Sequence, residues 1–396
     1  MTSPLSSHGP NELAGLFAGI GGFELGFKRA NLGTGLLCEI DEAARAVLEE
    51  HFPGVRLQRD VRDLRSLPRS VDTIVAGFPC QDLSQAGKTA GINGKQSSLI
   101  GEVFRLLGRR RVPWVVLENV PFMLQLSKGR ALAIIIDELE RLKYRWAYRV
   151  VDTLAFGIPQ RRQRVFLVAS RIGDPRSVVL ADDAGEPPSM PAASKQAFGF
   201  YWTEGIRGLG WAVDAIPTLK GGSTIGIPSP PAIVLPSGLV VTPDIRDAER
   251  LQGFPTDWTL PAQTAGRKGH RWKLVGNAVT VDVAEWLARR LVSPGEYRPV
   301  LDLPLEKGAR WPRAAWGMGN GRFASLVTTW PVRRQKRPLL DFLDHQPKPL
   351  SERATAGFLS RTKSGRLRFP RGFLEAVGTH LERVRREAAS RTSAIA

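Results

Sequence analysis

The sequence predicts an α/β protein: a Rossmann-like, doubly wound, mostly parallel sheet, with a smaller irregular domain and a basic C-terminal extension. Three observations support this fold class. Short apolar, β-branched segments alternate with segments of helical period through about residue 172. A glycine-rich loop follows the first apolar segment, at the strand end where such sheets bind ligands. The composition then changes near Asp174, beyond which Gly, Pro and Ser become frequent.

The strands and helices follow from these patterns in order. Continuous apolar runs of strand length predict strands at 13–17, 35–40, 71–76, 114–117 and 165–168. Amphipathic segments predict helices from the glycine loop to residue 30 and at 42–51, 99–108 and 128–143. Periodicity returns later and predicts helices at 244–252, 279–291 and 373–389. The segments expected from these changes are 1–173, 174–241, 242–293 and 294–396.

The charge balance indicates a class of partner. Lys and Arg number 56 against 38 Asp and Glu, which gives a formal net charge of +18. The last quarter, from residue 301, carries 19 of those cations and 8 of the acids. Such an excess favours a polyanion, and nucleic acid is the commonest one inside a cell. Phe, Trp and Leu recur through that quarter, which favours a folded extension over a disordered polyanion-binding tail.

Composition argues against several other classes of protein. The most apolar run, 131–136, is too short to span a bilayer, and no basic-then-apolar signal peptide opens the chain. Two cysteines, Cys38 and Cys80, cannot form a disulfide framework. The five His are not grouped with them as zinc ligands, so no metal site is expected. A reducing, cytoplasmic setting is the simplest expectation.

Cys80 lies in the segment Ala76–Gln81, directly after the strand predicted at 71–76. Gly77 and Pro79 end that strand, so the thiol is expected on a sharp loop at the carboxyl end of the strand, where open α/β sheets bind ligands. Taken alone, a cysteine beside a proline is more simply explained as a small hydrophobic residue in a turn. The functional interpretation depends on residues elsewhere in the chain.

The first glycine loop, Ala18–Phe23, lies between a strand and a helix, where backbone N–H groups can approach a ligand. Glu39 ends the next strand about twenty residues on, as expected of a carboxylate that bonds a ribose hydroxyl. Asp60 ends a similar short segment. The glycine spacing departs from the dinucleotide fingerprint, because position 24 is Glu. Together these residues favour an adenosine-type cofactor, with a purely structural turn as the alternative.

Six segments, taken in order, resemble the motif series of the cytosine-C5 DNA methyltransferases. They are Phe17–Phe23, Gly77–Gln81, Glu118–Val120, Gln160–Arg164, Arg250–Pro255 and Gly276–Val279. The resemblance covers residues 13–172 and 242–291, and its specificity lies in the order and spacing of all six. It implies S-adenosylmethionine as cofactor and double-stranded DNA as partner. It also implies a bacterial restriction–modification or other phage-defence system, or a solitary methylase.

The resemblance gives each matched residue a role. The catalytic residues that it implies are Cys80, Glu118, Arg162 and Arg164. The cofactor-binding residues that it implies are Phe17, Ala18, Gly19, Gly21, Gly22, Glu39, Ile40, Asp60, Val61, Pro79, Asn277, Ala278 and Val279. The DNA-binding residues that it implies are Gln81, Ser84, Arg162, Thr218 and Leu219. Residues 1–173 and 242–293 are then the catalytic domain, 174–241 the target-recognition insertion and 294–396 a DNA-contacting extension.

The chemistry explains why these residue types belong together. C5 of cytosine is a poor nucleophile, and attack of a thiolate at C6 turns it into an enamine carbon. The resemblance assigns this attack to Cys80, charge neutralisation at N3 to Glu118, and contact with O2 to Arg164. The target cytosine must first leave the duplex, at a cost of about a few kcal/mol.

Two departures from the family and two rival functions stay open at this level. Gly15 stands where many family members carry an acidic residue, which implies a missing hydrogen-bonding group near the cofactor. Gly94–Leu99 matches its family segment only loosely. The first rival is a tRNA cytosine-5 methyltransferase, since one branch of the motif series acts on RNA. The second is a catalytically silent relative that only binds DNA or a partner subunit.

Overall fold

The structure is a computed structural model that describes residues 11–78, 99–188, 196–222, 228–265, 269–299, 302–306 and 308–393. The chain divides into two compact units, each assembled from separate segments. Unit 1 comprises Met1–Phe156, Gln163–Pro187 and Ala278–Arg334, and unit 2 comprises Gly157–Arg162, Pro188–Asn277 and Gln335–Ala396. This division differs from the boundaries expected at 174, 242 and 294, because the insertion and the end of the chain share unit 2.

Unit 1 is built on a mixed sheet. Numbered along the whole chain, its described strands are β1 (Glu12–Leu16), β2 (Gly33–Cys38), β3 (Leu57–Gln58), β4 (Thr73–Gly77), β5 (Trp114–Asn119), β6 (Arg145–Asp152), β8 (Gln163–Ser170), β14 (Leu303–Pro304), β15 (Ala314–Gly317) and β16 (Arg322–Ala324). Their order is β14-β16-β15-β6-β8-β5-β4-β1-β2-β3. Neighbours are parallel from β5 to β3, as the sequence predicts. They are antiparallel from β5 outwards to β14.

The strand order of the parallel part reverses at β1. β2 pairs on one side of β1 and β4 on the other, so that Leu16 lies beside both Cys38 and Ala76. At such a switch point the connections leave the sheet in opposite directions, and ligands bind outside the carboxyl ends of the strands. The glycine loop after β1 and the chain that leads from β4 to Cys80 therefore start at the same edge.

The helices of unit 1 cover both faces of its sheet, as the sequence predicts. They are α1 (Gly22–Arg29), α2 (Glu42–His51), α3 (Leu99–Arg109), α4 (Arg130–Arg141), α5 (Arg176–Val179) and, after the unit 2 segment, α8 (Val281–Val292). Alternate residues of β1 enter two different apolar clusters, Leu13 on one face and Ala14 and Leu16 on the other. A sheet that is buried on both faces is typical of this architecture.

The sequence does not predict β6, because arginines and an aspartate interrupt its apolar run. In the fold Arg149 is fully buried, and its Nε donates to the Thr328 carbonyl oxygen at 2.6 Å. Its Nη2 pairs with Asp183 at 2.9 Å. Burial lowers the pKa of Arg149 to about 10, and the Asp183 carboxylate opposes that change. The buried charge of Arg149 is therefore paired with residues far along the chain, whereas a local sequence pattern predicts an exposed arginine.

Unit 2 contains a second sheet. Its strands are β7 (Gln160–Arg161), β9 (Phe198–Phe200), β10 (Trp211–Val213), β11 (Ile216–Pro217), β12 (Ala232–Val234), β13 (Val240–Thr242) and β17 (Lys348–Pro349). Its helices are α6 (Ile245–Arg250), α7 (His270–Asn277), α9 (Leu339–Phe342), α10 (Glu352–Ser364) and α11 (Phe373–Ser393). The described strands form an antiparallel sheet, β10-β9-β12-β13-β17, and a separate parallel pair, β11-β7.

The core of unit 2 joins the insertion to the end of the chain. Phe198 and Phe200 of β9 pack against Phe358 of α10 and Phe373 of α11. β17 pairs with β13 and completes the sheet. Most described residues of the insertion lie outside helices and strands, as the sequence predicts, but its short strands are not predicted, because three-residue strands are too short for alternation to be read from sequence.

In the part of the chain that the structure describes, no helix combines the length and the apolar character that a bilayer crossing needs.

Candidate active site

The carboxyl ends of β4 and β5 bring an acid to the edge of the unit 1 sheet. Glu118 on β5 lies directly beside Gly77 on β4 in the parallel register. A Cβ atom built on Gly77 would lie 3.4 Å from Oε2 of Glu118 and 3.6 Å from a methyl group of Val279. The Glu118 carboxylate therefore adjoins the strand end from which the chain continues to Cys80.

Arg164 on β8 is the cation that contacts Glu118. Its Nε lies 3.0 Å from Oε1 of Glu118, and its Nη1 donates to the Gln163 carbonyl oxygen at 2.7 Å. The two side chains are only 15% and 11% exposed, so water and salt screen this pair less than a surface pair. The structure thus brings together two of the predicted catalytic residues.

Asn119 fixes the backbone at the end of β4. Its Nδ2 donates to the Phe78 carbonyl oxygen at 2.8 Å, and both residues are buried. Its Oδ1 accepts from the Val120 N–H at 2.8 Å, which orients the amide. Phe78 is the last described residue before the predicted nucleophile loop. The predicted residues Pro79, Cys80, Gln81 and Ser84 lie outside the described residues.

The other cysteine of the chain is unsuited to nucleophilic chemistry. Cys38, at the end of β2, is 2% exposed. Burial raises the pKa of the Cys38 thiol to about 12, and the carboxylates of Glu39 and Asp60 add to the rise. A thiol with so high a pKa supplies almost no thiolate at neutral pH. Cys80 is the only remaining cysteine in the sequence.

Glu39 joins the glycine loop to the start of α2. Its Oε2 accepts from the Gly19 N–H and its Oε1 from the Asp41 N–H, each at 2.8 Å. Burial raises the pKa of Glu39, and these two N–H donors oppose the rise. Each carboxylate oxygen has a second acceptor position. The arrangement suits a carboxylate that also accepts the hydroxyl groups of a ribose.

Three predicted cofactor residues beyond Glu39 differ in exposure. Ile40 is 59% exposed and offers an apolar surface beside the carboxylate. Asp60 accepts from the Arg62 backbone N–H at 2.9 Å and from its guanidinium at 2.6 Å, and this guanidinium lowers the pKa of Asp60. Val61 is only 3% exposed and belongs to the core, so its side chain is not presented to a ligand.

The loop after β1 leaves room above its backbone. Gly19 has φ of 56°, and no described atom lies within 4 Å of a Cβ atom built on it. Gly22 begins α1 in close contact with the chain before α8, because a Cβ atom there would lie 2.4 Å from the Val279 carbonyl oxygen. An open loop backbone, carboxylate acceptors and an exposed apolar side chain together fit S-adenosylmethionine. Four further residues are predicted to bind the cofactor. Phe17 and Ala18 are half-buried, and Gly21 and Ala278 are buried.

Arg162 belongs to unit 2 and is 1% exposed. Its Nη1 donates to the carbonyl oxygens of Leu219 at 3.0 Å and Gly276 at 3.2 Å. The guanidinium therefore satisfies buried backbone acceptors inside unit 2. A side chain that is 1% exposed is not presented to a DNA phosphate, so burial does not fit the predicted DNA contact of Arg162, while its catalytic role stays a prediction.

Gln160 extends this network within unit 2. Its Oε1 accepts from the Leu219 N–H at 2.9 Å, and its Nε2 donates to the Leu251 carbonyl oxygen at 2.6 Å. Leu219 is 2% exposed, so its predicted contact with DNA does not fit its placement. Thr218 donates from Oγ1 to the Arg161 carbonyl oxygen at 2.8 Å and sits at the surface. Asn277, predicted to contact the cofactor, ends α7 in unit 2, close to Gly221.

The sequence analysis does not predict two side chains near the site as functional residues. Phe122, in the 3₁₀ turn that follows Asn119, is 59% exposed, and an aromatic residue so close to the Glu118 motif is the signal that could identify it. Glu24 is buried in the helix that directly follows the glycine loop, although the sequence marks it only as a departure from the glycine spacing.

Comparison with protein families matches residues 12–196 and 244–293 to the C-5 cytosine-specific DNA methylases. The Type II methyltransferase M2.BsuMI of Bacillus subtilis (strain 168) is 46% identical over 364 residues, which cover 88% of this chain and 92% of that protein. The Type II methyltransferase M.DsaV of Dactylococcopsis salina is 28% identical over 70% of this chain and 85% of its own length.

Solved structures share the fold at low sequence identity. A DNMT2 variant from Spodoptera frugiperda has a TM-score of 0.52 at 18% identity and covers 71% of this chain and 99% of its own. The S. pombe Dnmt2 methyltransferase has the same TM-score of 0.52 at 14% identity, over 71% of this chain and 98% of its own. At these identities the likeness concerns the fold alone.

Proposed function

The chain belongs to the C-5 cytosine-specific DNA methylase family, and on that premise we propose how its residues methylate C5 of cytosine in double-stranded DNA. The family uses S-adenosylmethionine, which supplies the methyl group. In our proposal Cys80 attacks C6 of a cytosine that has been rotated out of the duplex. Glu118 and Arg164 stabilise the charge that develops on the ring.

The attack needs a thiolate and a sink for electrons. The bond from sulfur to C6 forms as the ring double bond shifts its electrons towards C5, N3 and O2. Glu118 holds a proton at N3, and Arg164 donates hydrogen bonds towards O2. After C5 has gained the methyl group, water removes the C5 proton, the bond between sulfur and C6 breaks, and the thiolate leaves.

The ion pair of Glu118 and Arg164 is the observation that carries this proposal. It lies beside Gly77, at the edge where the parallel strands end, and the two side chains are mostly buried. An acid and a guanidinium in contact can bond two neighbouring polar atoms of one ring, which N3 and O2 of cytosine provide. The burial of Cys38 supports Cys80 as the nucleophile.

A mechanism-based trap tests the covalent step. DNA that carries 5-fluorocytosine at the target site cannot lose a proton from C5 after methyl transfer, so the complex should survive a denaturing gel. We expect a retained band for the wild type, none for Cys80→Ser and slow formation for Glu118→Gln. A wild-type protein that methylates ordinary DNA but never retains the fluorinated DNA would contradict covalent attack.

We also propose that unit 2 holds the DNA and reads the flanking bases. The linker between α10 and α11 and the last turn of α10 support this proposal, because Lys363 in that turn and Arg366, Arg368 and Arg371 in the linker are all exposed and no acid lies among them. Such a cluster suits phosphate contacts, which give affinity that falls with salt. The names of the relatives as Type II methyltransferases support a fixed recognition sequence within a restriction–modification system.

Bisulfite sequencing of plasmid DNA from cells that express the protein would give this recognition sequence directly. We expect cytosines within one short sequence motif to be protected from bisulfite conversion. A parallel assay with labelled methyl donor and separate DNA and tRNA pools compares the two nucleic acids. Label in tRNA alone would favour the RNA-modifying branch, and no label in either pool would favour a catalytically silent relative.

A further inference from the structure

A buried acid lies in the helix that directly follows the glycine loop and has no part in the mechanism above. Glu24, in the first turn of α1, is 1% exposed. A Cβ atom built on Gly15 of β1 would lie 1.7 Å from Oε1 of Glu24 and 3.4 Å from a methyl group of Leu37 on β2. The space that Gly15 leaves empty is therefore filled by a carboxyl group carried on the helix.

This carboxyl group has no hydrogen-bond partner on any other described residue. Neither oxygen of Glu24 has a hydrogen-bond partner within the described ranges of the chain. A buried, unpartnered carboxylate is strongly disfavoured relative to its neutral form. Burial raises the pKa of Glu24 to about 8, the backbone N–H of Glu24 itself opposes the rise, and the Glu39 carboxylate adds to it. Near pH 7 the group is therefore mostly protonated in the free protein.

The charged groups on the surrounding elements do not supply a partner. They are Glu39 after β2, Lys28 and Arg29 in the last turn of α1, and Asp282 and Glu285 on α8. The guanidinium of Arg29 lies 3.9 Å from the Asp282 carboxylate and 3.8 Å from that of Glu285, so it forms ion pairs with α8. The only charged group among them that influences the pKa of Glu24 is another acid. None of these described groups therefore offers a cation to the Glu24 carboxyl group.

S-adenosylmethionine brings such charge, because it carries a sulfonium and an ammonium group. Glu24 lies in the first turn of α1, directly after the glycine loop whose Gly19 N–H donates to Glu39, so it follows the predicted cofactor loop immediately in the chain. We propose that Glu24 is a further cofactor-site residue, which is protonated in the free enzyme and loses its proton to solvent when the cofactor binds. The resulting carboxylate balances the positive charge of the cofactor.

The inference rests on the cofactor placement proposed above, and the chemistry is a single acid dissociation. The O–H bond of the carboxyl group breaks, and the proton passes to the buffer. The N-terminal end of α1 favours the carboxylate once it has formed, because the helix dipole is positive there. Cofactor binding should therefore be linked to proton release, which a purely space-filling glutamate would not show.

Isothermal titration of the full chain with S-adenosylmethionine, in buffers of different ionisation enthalpy, counts the protons released. Near pH 7 the wild type should release about one proton per cofactor bound. Glu24→Gln should bind with almost no release, and the control Glu49→Gln, on the exposed side of α2, should match the wild type. S-adenosylhomocysteine lacks the sulfonium charge and should cause less release.

The outcomes separate this proposal from the one on which it rests. Binding without proton release in the wild type, or equal release from Glu24→Gln, would overturn the role of Glu24 and leave the cofactor placement standing. No binding by the wild type would overturn both. If Glu24→Gln fails to fold, infrared difference spectra of the wild type decide. Loss of a protonated-carboxyl band on binding supports the proposal, and an unchanged band refutes it.

Discussion

Arg162 and Arg164 lie two positions apart in one sequence motif but belong to different units. In unit 1, Arg164 directs its guanidinium to the Glu118 carboxylate at 3.0 Å. In unit 2, Arg162 directs its guanidinium to the carbonyl oxygens of Leu219 and Gly276. One side chain type thus contacts an acid at the edge of a sheet in the first unit and satisfies buried backbone in the second.

The comparison shows that the backbone around a motif residue decides what its polar group does. In unit 1, the carboxylates of Glu39 and Glu118 lie at the ends of strands, where such sheets bind ligands. Gln160 and Arg162 in unit 2 use their polar atoms on neighbouring chain segments. Substitutions in unit 1 should therefore reduce activity, and those in the unit 2 network should reduce stability.

The largest effect is expected from Glu118→Gln. The amide can neither deliver a proton to N3 nor accept one, so the rate of methyl transfer should fall roughly 10³-fold with little change in melting temperature. Single-turnover transfer to saturating DNA measures this rate. The control is Glu138→Gln, which alters an exposed pair with Arg141 on α4 and should leave the rate unchanged. Wild-type turnover by Glu118→Gln would move the site away from this ion pair.

Arg162→Met should instead reduce stability more than activity. The substitution keeps the bulk of the side chain but leaves the Leu219 and Gly276 carbonyl oxygens without this donor, at a cost of roughly 2–4 kcal/mol in the stability of unit 2. Hydrogen exchange of peptides that span both residues measures the change locally. The neighbouring, exposed Arg161→Met is the matched control and should cost under about 0.5 kcal/mol. Normal protection with lost activity in Arg162→Met would support the catalytic role predicted from the sequence.

Glu24→Gln should stabilise the free protein in a pH-dependent way. The pKa of Glu24 is about 8 in the fold against an ordinary 4.5, so unfolding releases a proton between these values and wild-type stability falls as pH rises through that window. The amide of Gln does not titrate, so the variant does not lose this stability. At the upper end of the pH window its free energy of unfolding should exceed that of the wild type by roughly 2–4 kcal/mol. Denaturant unfolding across the window should show two curves that meet at low pH and separate towards pH 8. Parallel curves would mean that Glu24 is already ionised.

Asn119→Ala should act through the backbone that leads to Cys80. Losing the hydrogen bond to the Phe78 carbonyl oxygen loosens the chain after β4, and we expect about a tenfold lower rate of methyl transfer, equivalent to about 1.4 kcal/mol. The affinity for S-adenosylmethionine, measured by titration, should not change. An equal loss of cofactor affinity would show that the defect spreads through the sheet.

The smallest effects are expected from the basic linker of unit 2. Each of Arg366→Ala, Arg368→Ala and Arg371→Ala should reduce the slope of log affinity against log salt by about 0.9 if that residue contacts a phosphate. The control is Arg385→Ala, since Arg385 already pairs with Glu352 at 3.0 Å. Fluorescence anisotropy with a short duplex gives the slope. Unchanged slopes in all three variants would remove the linker from the DNA interface.

Much of unit 1 can be predicted from sequence because its signals are local. The apolar runs predicted as strands at 13–17, 71–76 and 114–117 end within two residues of β1, β4 and β5, and Glu39 and Glu118 lie at or near strand ends, as expected. The N-terminus of α2 is equally local, because the Asp41 carboxylate accepts the Ala43 and Ala44 N–H groups at its first turn.

The rest depends on contacts that no local pattern contains. Arg162 donates hydrogen bonds to Leu219 and Gly276, which lie 57 and 114 positions further along. The burial of Glu24 depends on the missing side chain of Gly15 on another element. The space beside Gly15 is filled by a carboxyl group from a neighbouring helix, which a local pattern does not reveal.

The assembly of unit 2 also has a consequence for biosynthesis. Its aromatic core needs Phe358 and Phe373 against Phe198 and Phe200, and its sheet needs β17 beside β13. A ribosome makes Phe358 and Phe373 well after β9, so a nascent chain cannot complete this core until the segment from β17 to α11 has been made. Any exchange of sequence preference with a related enzyme would likewise have to transplant the insertion and the C-terminal segment together, since neither half forms that core alone.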